Sequence, residues 1–319
     1  MTEEGNEAVA AHCCAACGIA EIDDIKLMPC DGCDLVRYCS DDCKNNHKLE
    51  HGEACKKRAA ELRDELLFKQ PESTHLGDCP ICCVPIALDP AKSGTNTCCG
   101  KVLCHGCIIA NAKRAMELRI ENTCAFCREP THMTEEDDER RMMKRIEAND
   151  PVVTRLEGRQ QYKKENYRRA FDYFSKAAEL GDAQAHYQLS LMYHEGNGVE
   201  KDEGKKKYHF EEAAIGGHPI ARYNLGINEW VHGNEERAVK HWIIAAKQGE
   251  DDSMKMLVKT FKTVDAIKKK IVGNDPRAKA IRAKCELISK DVLADTLRAH
   301  KAAVDATKSK HRDKLRRRC

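Results

Sequence analysis

Aromatic residues are scarce in this sequence, 5% of 319 positions against 41% hydrophobic in total, so there is little of the bulky material from which several ordinary cores are built. Long apolar runs are missing as well: nothing approaches the roughly 18 consecutive apolar residues of a membrane-spanning helix. The opening Met1-Thr-Glu-Glu has no basic segment leading into an apolar one, so no secretory signal is expected, and a cytoplasmic or nuclear setting is the default. An excess of one charge is also absent. With 54 basic and 52 acidic residues the net charge is +2, which gives no electrostatic footing for a nucleic-acid or membrane surface. Scarce base-stacking aromatics argue against nucleic acid a second time. The sequence offers no nucleophile constellation, phosphate-binding glycine loop or open metal site, which puts binding functions ahead of conventional catalysis.

Cysteine is what the chain has in quantity. Of 19 cysteines, 17 fall between Cys13 and Cys127, a density that marks the first third as stapled rather than packed. Two-residue gaps between cysteines in a reducing compartment indicate zinc, because thiolate binds that ion strongly and disulfides do not persist there; a disulfide framework is the competing reading.

The expected fold is mostly α, with two small zinc-stapled modules ahead of an α-solenoid closed by C-terminal helices. Residues 1–12 read as a disordered N-terminus, 13–55 as the first zinc module, 56–74 as a charged helical linker broken at Pro71, and 75–131 as the second zinc module, of α+β type. Residues 132–150 form a second linker, whose acids Glu135 to Glu139 precede the bases Arg140, Arg141, Lys144 and Arg145 in the order a helix dipole favours; it reads as a solvated helix. Repeats occupy 151–262, capping helices 263–308 and a basic tail 309–319.

The first block runs Cys14-x2-Cys17-x12-Cys30-x2-Cys33-x5-Cys39-x3-Cys43-x7-His51-x3-Cys55, four ligand pairs and so enough for two closed tetrahedral sites. With Tyr38-Cys39-Ser40 and the closing His51-x3-Cys55, residues 14–55 resemble the MYND zinc finger. The resemblance implies an interleaved arrangement: Cys14, Cys17, Cys39 and Cys43 on one ion, Cys30, Cys33, His51 and Cys55 on the other. His47, one helical turn from His51, is the alternative fourth donor, and Cys13 reads as a spare thiol. Fingers of this family often bind proline-containing peptides through a glutamine and a tryptophan at positions that hold Lys44 and Lys48 here, which puts that specificity in doubt.

The second block, Cys79-Pro-Ile-Cys82, Cys98-Cys99-Gly-Lys-Val-Leu-Cys104-His-Gly-Cys107 and Cys124-Ala-Phe-Cys127-Arg128, resembles a RING finger. The resemblance implies one zinc on Cys79, Cys82, Cys104 and Cys107, and a second on Cys99, Cys124, Cys127 and a histidine whose position holds Lys101. A lysine ammonium has no lone pair to give, so Cys98 is expected as the fourth ligand, with Cys83 and His105 as bystanders. In ubiquitin ligases of this kind catalysis is positioning of a ubiquitin-conjugating enzyme and its thioester. By resemblance Ile81 would anchor that enzyme and Arg128 would bridge enzyme and ubiquitin. Ala125 stands where proline is usual, and no tryptophan occurs between Ile108 and Asn122. A plain zinc ribbon without a partner is the competing reading of this block.

Beyond Pro151 the sequence repeats itself. Ala177-Ala178, Gly181, Ala185, Tyr187 and Leu189 recur at an offset of 36 as Ala213-Ala214, Gly217, Ala221, Tyr223 and Leu225, and Ala245-Ala246, Gly249 and Leu257 follow at 32. Phe171, Phe174, Ala177 and Ala178 share one helix face, and the wording resembles the SEL-one-like repeat, a relative of the tetratricopeptide repeat, which implies a solenoid that binds peptides or proteins. A helix over about Lys290–Lys308, with Val292, Leu293, Leu297 and Val304 in register, is expected to cap it. The basic tail admits a nuclear-address or nucleic-acid reading beside that of a solvated terminus. The functional expectation is a zinc-dependent RING-type ubiquitin ligase or ligase-like adaptor, whose partners are a conjugating enzyme, ubiquitin and client proteins. The alternative is a non-enzymatic zinc-dependent scaffold. Four zinc ions are expected.

Overall fold

The computed structural model describes residues 13–21, 26–131, 134–270 and 288–308. The expected disordered N-terminus, the basic tail and the stretch 271–287 of the capping region lie outside the described residues. The chain divides into two units, one ending at Lys69 and one beginning at Gln70.

In the first unit β1 (Met28–Pro29) pairs antiparallel with β2 (Arg37–Tyr38), Met28 opposite Tyr38. Ser40 then caps α1 (Asp41–Asn46), its Oγ accepting from the Cys43 amide at 3.3 Å, with Asp41 and Asp42 in the first turn where the dipole favours them. The apolar centre is small: Leu27, Tyr38 and the Cys14 thiol are buried, with Val36 and three more cysteines around them. Helix α2 spans Lys48–Leu67 without interruption, so the end of the finger and the expected linker helix are one 20-residue element. Arg58 on α2 binds the Asp34 carboxylate with two nitrogens at 2.8 and 3.0 Å and reaches Glu65 at 3.1 Å.

The second unit opens with a zinc-type module. A 3-10 turn (Pro90–Lys92) leads into β3 (Ser93–Asn96), which pairs antiparallel with β4 (Lys101–Cys104), and α3 (His105–Leu118) follows directly. Cys79, Ile86, Leu103 and Cys104 form its buried centre. Helix α4 (Glu135–Glu147) is not the solvated linker its charge suggests. Met142 and Ile146, one turn apart, are buried with Val153 and packed by Tyr173. Helix α4 also ties to the hairpin: Thr97 donates to Asp138 at 2.7 Å, and Arg145 donates to the Cys99 carbonyl at 3.1 Å while pairing with Asp150. Asp150 in turn caps α5, accepting from Val152 and Val153 at 3.1 Å.

The repeats are six helices of equal length, α5 (Pro151–Lys163), α6 (Tyr167–Glu179), α7 (Ala183–Glu195), α8 (Glu203–Ile215), α9 (Pro219–Val231) and α10 (Glu235–Lys247). Small buried residues let them approach: Ala170, Ala177, Ala185, Ala213, Ala221, Ala238 and Ala245 are fully buried between larger Phe174, Leu189, Leu225 and Trp242. At Gly226 a Cβ would sit inside the van der Waals surface of the Trp242 indole, so only glycine fits. Helix α11 (Asp251–Lys270) and helix α12 (Lys290–Ala306) close the array. The face α12 uses differs from the expected one. Leu293 packs on the Trp242–Leu257 core and Thr296 is fully buried, its hydroxyl donating to the Val292 carbonyl at 2.8 Å, whereas Val292 and Leu297 are 38% and 45% exposed. The threonine satisfies its own hydroxyl within the helix, so a polar letter occupies the buried stripe.

Each repeat turns at a left-handed glycine, Gly181, Gly217 or Gly249, followed by a residue that caps the next helix, Asp182, His218 or Glu250. The three turns differ in what lies against them. At Gly181 nothing is within 4 Å of a Cβ position; at Gly217 it is the chain's own Ser73 carbonyl, at 2.8 Å; at Gly249 it is Ala303 and Val304 of α12, at 3.6 Å. The Gly217 contact is a joint between the second zinc module and the repeats. The His75 amide donates to the Gly217 carbonyl at 2.9 Å, and the Gln248 side chain donates to Ser73 at 3.2 Å. His218 Nδ1 accepts the Ala221 amide at 3.1 Å, so its Nε2 carries the proton and donates to Gln184 Oε1 at 3.0 Å, which also accepts from His75 Nε2 at 3.2 Å. The two imidazoles stack at 4.2 Å, and Tyr187 stacks on His218 at 4.5 Å.

Two outcomes are expected. Gly226→Ala overpacks the Trp242 contact and should lower unfolding free energy by about 1–3 kcal/mol in urea titration of the helical signal, with zinc content unchanged. Burial holds His75 and His209 down at about 4 and His218 well below its ordinary value. The unfolded chain therefore takes these protons first, and stability that is complete above about pH 6.5 should be lost as pH falls toward 4. Thermal midpoints should drop by roughly 5 °C or more across that window. His218→Asn, which can still cap the helix, should flatten the slope; an unchanged slope would assign the loss to other groups.

Candidate metal centres

The first, third and fifth CxxC pairs of the chain fold into one recurring turn. In Cys14-x2-Cys17, Cys79-x2-Cys82 and Cys124-x2-Cys127, the residue after the second cysteine is left-handed, with φ of 73° at Gly18, 52° at Cys83 and 67° at Arg128. Its amide donates to the carbonyl of the first cysteine, at 2.9, 2.8 and 3.0 Å respectively. A single antiparallel bridge closes each turn, Cys13 to Ala20, Asp78 to Pro85 and Thr123 to Pro130. Such a knuckle turns successive amides toward the first cysteine's sulfur. At Cys14, burial acts to raise the thiol, yet the amides of Cys17, Cys39 and Ala16 bring it down to about 6. Cys79 and Cys124 are likewise opposed by burial and brought down to about 7, by the amides of Cys104, Cys82 and Ile81 and by those of Cys127 and Phe126. Two or three N–H donors on one sulfur favour the thiolate over the thiol.

The second donors come from elsewhere in each module, and the sixteen expected ligands gather in four groups. These are Cys14, Cys17, Cys39, Cys43; Cys30, Cys33, His51, Cys55; Cys79, Cys82, Cys104, Cys107; and Cys98, Cys99, Cys124, Cys127, with all donor atoms of a group within 4.8 Å of one another. The sequence order of the groups is interleaved in both modules. Sulfur separations are 3.6 Å for Cys17–Cys39, Cys39–Cys43 and Cys30–Cys55, 3.8 Å for Cys82–Cys104, 3.9 Å for Cys99–Cys124 and 3.4 Å for Cys98–Cys127. All seventeen described cysteines are free thiols. A tetrahedral zinc with bonds of about 2.3 Å to sulfur has S···S edges of about 3.8 Å, and the Cys33 Sγ to His51 Nε2 distance of 3.2 Å is close to the shorter mixed edge.

Electrostatics point the same way. Sulfurs this close cannot all ionise unaided: burial followed by its neighbours pushes Cys99 and Cys55 up to about 11, and its neighbours Cys17 and Cys43, ahead of burial, push Cys39 up to about 12. Burial, with Cys127 and Cys124 beside it, drives Cys98 up further. A divalent cation removes the repulsion and takes the place of the protons. The four groups fit zinc in closed, structural coordination, in which the metal supplies folding energy and leaves no position for a substrate.

The residues set aside as bystanders stay outside the groups. His47 bonds the Tyr38 hydroxyl through Nδ1 at 3.1 Å and stacks on the His51 ring at 5.7 Å, so it braces the ligand instead of replacing it. Lys101 extends over the Phe126 ring, 5.8 Å from its centroid, and Cys98 occupies the donor position. His105 is the first residue of α3, and Cys83 is exposed on its knuckle. Ile81 and Phe126 are 44% and 42% exposed, and Arg128, two residues after Phe126, is exposed as well. Lys44 pairs with Asp31, and Lys48 begins α2. The joint at His75, Gln184 and His218 was not visible in the sequence, since no motif marks a histidine that will meet another 143 positions away.

Metal analysis of protein purified with a reductant should give four zinc ions per chain. Cys98→Ser should leave three and Lys101→Ala four, because the lysine lies outside the donor set; the reverse pattern would place the ligand wrongly. Chelation should remove the signal of the zinc modules while most of the helical signal survives in the repeats.

No curated protein matches the chain. Among solved structures, a Sel1 repeat protein from Oxalobacter formigenes is similar at 27% identity with a TM-score of 0.35, over 38% of this chain and 98% of that one. The c5321 protein, a protective antigen of uropathogenic Escherichia coli strains displaying an SLR fold, matches at 21% identity with a TM-score of 0.34, over 53% of this chain and 39% of that one. The MYND finger family matches residues 14–55, and the Sel1 repeat family matches residues 155–182, 183–218 and 219–250. The second cysteine module thus lies between a MYND finger and three Sel1 repeats.

Proposed function

We infer that the chain is a zinc-dependent interaction scaffold whose second module docks a ubiquitin-conjugating enzyme, as a RING-type ligase or ligase-like adaptor, while the MYND finger and the repeats take client proteins. The observation that supports this reading is the arrangement of the second module. Two interleaved donor groups, Cys79, Cys82, Cys104, Cys107 and Cys98, Cys99, Cys124, Cys127, are joined by a hairpin and a helix. Ile81 and Arg128 stand exposed on the two knuckles, outside both donor groups. In this reading nothing covalent passes through the protein. Ile81 offers an apolar contact, and Arg128 offers a planar fork of donors that can hold two carbonyl or carboxylate groups in one orientation. Acceleration comes from holding a flexible thioester in its reactive geometry. The free thiols suit the reducing cytosol or nucleus in which we place the chain.

A scaffold without ligase activity is the second reading, and Ala125 favours it. This residue stands where a partner-facing proline is usual, and it packs against the module's own core of Cys79, Ile86, Leu103 and Cys104. MYND recognition is also altered in this proposal, because Lys44, engaged by Asp31, occupies the usual glutamine position.

Zinc-loaded full-length protein incubated with activating enzyme, ubiquitin and a broad panel of conjugating enzymes should modify itself with at least one of them. Ile81→Ala should weaken recruitment. Arg128→Ala should slow thioester discharge roughly tenfold to hundredfold with binding retained, the equivalent of one charged hydrogen bond of about 1.5–3 kcal/mol. Absence of self-modification across the panel, from protein holding all its zinc, leaves the scaffold alone.

A further inference from the structure

The strands and helices around the joint enclose a groove that the zinc sites do not use. It has a volume of about 590 Å³, within the roughly 300–1,000 Å³ of ligand-binding clefts, and is bounded by β3 on one side and by α5 and α7 on the other. Its charge is of one sign. Arg155 and Arg159 line it and no carboxylate does, although the chain as a whole is almost neutral at +2. Arg155 is anchored from behind, its Nε donating to Asp182 at 2.9 Å, which fixes the guanidinium in place. Arg159 is exposed and has no carboxylate partner among the described residues. Among the described residues strand β3 pairs with β4 alone, so its second edge carries backbone donors and acceptors with no described strand beside them, and Ser93, Gly94 and Thr95 of that strand line the groove. Gln188, with a donor and an acceptor on one side chain, completes the opposite wall.

We propose that this groove binds an extended acidic peptide segment of a partner protein. The segment lies along β3 as an added strand, with one of its carboxylates on Arg159 and its backbone reaching the Gln188 amide. Main-chain hydrogen bonds to a free strand edge suit any extended sequence, and Arg159 then selects an acidic side chain among the alternate positions that face one side of a strand. A small anion would satisfy Arg159 yet leave the strand edge and most of the volume unused. The inference deepens the scaffold reading, in which the repeats recruit clients, and it is independent of ubiquitin ligase activity. The groove's walls come from the second zinc module and the first two repeats together, so a client held there is fixed against both.

The test is fluorescence anisotropy with zinc-loaded full-length protein and two labelled pools of nine-residue peptides, one with glutamate at alternate positions and the other positions randomised, the other with lysine in place of glutamate. The glutamate pool should bind and the lysine pool should not, and binding should weaken as salt rises. Arg159→Glu, an exposed change that leaves fold and zinc content intact, should weaken binding roughly tenfold or more, and Arg159→Lys should restore part of it. Methylating alternate backbone nitrogens of the peptides should abolish binding. Equal binding of the two pools, insensitivity to Arg159→Glu, indifference to backbone methylation, or displacement by inorganic phosphate at concentrations matching the peptide would each overturn the proposal. No conjugating enzyme is present, so failure here leaves the ligase assay unaffected, and a silent ligase assay leaves this one standing.

Discussion

Mutual repulsion among clustered thiolates is the constraint on which the first 130 residues depend. The knuckle turns lower the first sulfur of each pair, but the sulfurs it must join are driven upward, so each group is a half-built site that only a cation completes. The rest of each module is arranged to deliver donors. Cys104 shows the economy of this: it ends β4, supplies one ligand and caps α3, its Sγ accepting the Cys107 amide at 3.4 Å. Helix position, strand end and coordination are thus set together by one residue, and apolar burial has little left to do.

The repeats are held by the opposite means. Their helices are locked by close packing of alanines against a few large side chains, with left-handed glycines at the turns and no clustered metal-donor group among the described residues. The second zinc module joins them by a polar seam. Gly217 makes room for the Ser73 carbonyl, and the His75, Gln184 and His218 chain of donors leaves each imidazole one defined proton. Helix α4 adds a second tie through Arg145 and Asp138. Coordination, close packing and a hydrogen-bonded seam therefore follow one another along the chain, and each responds to a different change of conditions: chelator, large-to-small substitution, acid.

Most of this was legible wherever the sequence carries a period or a fixed gap. Ligand spacing showed two eight-donor blocks, the resemblances implied how each divides, and Cys98 was expected beside Cys99 because Lys101 has no lone pair; these donor atoms do lie together. The 36-residue offset gave the helical hairpins because the same small residues must recur where helices approach closely. What stayed hidden is set by single long-range contacts. Met142 and Ile146 sit one turn apart within a run of charges, and two apolar letters were too few to outweigh it. On α12 the buried position is Thr296, whose hydroxyl bonds its own helix, so an apolar pattern misplaced the face. His75 and His218 have no local signature because their environment is made by residues far away in sequence.

The row of turn glycines has a consequence for how such a chain changes over generations. A bare turn is part of every repeat, and two of the three, at Gly217 and Gly249, have something lying against them: the segment that carries the zinc module at one and a terminal helix at the other. Duplication of a repeat therefore copies an empty mounting point along with the helices, at no extra cost in new sequence. An array of this kind can acquire an additional module by lengthening first and recruiting afterwards, with the structural vacancy preceding whatever comes to fill it.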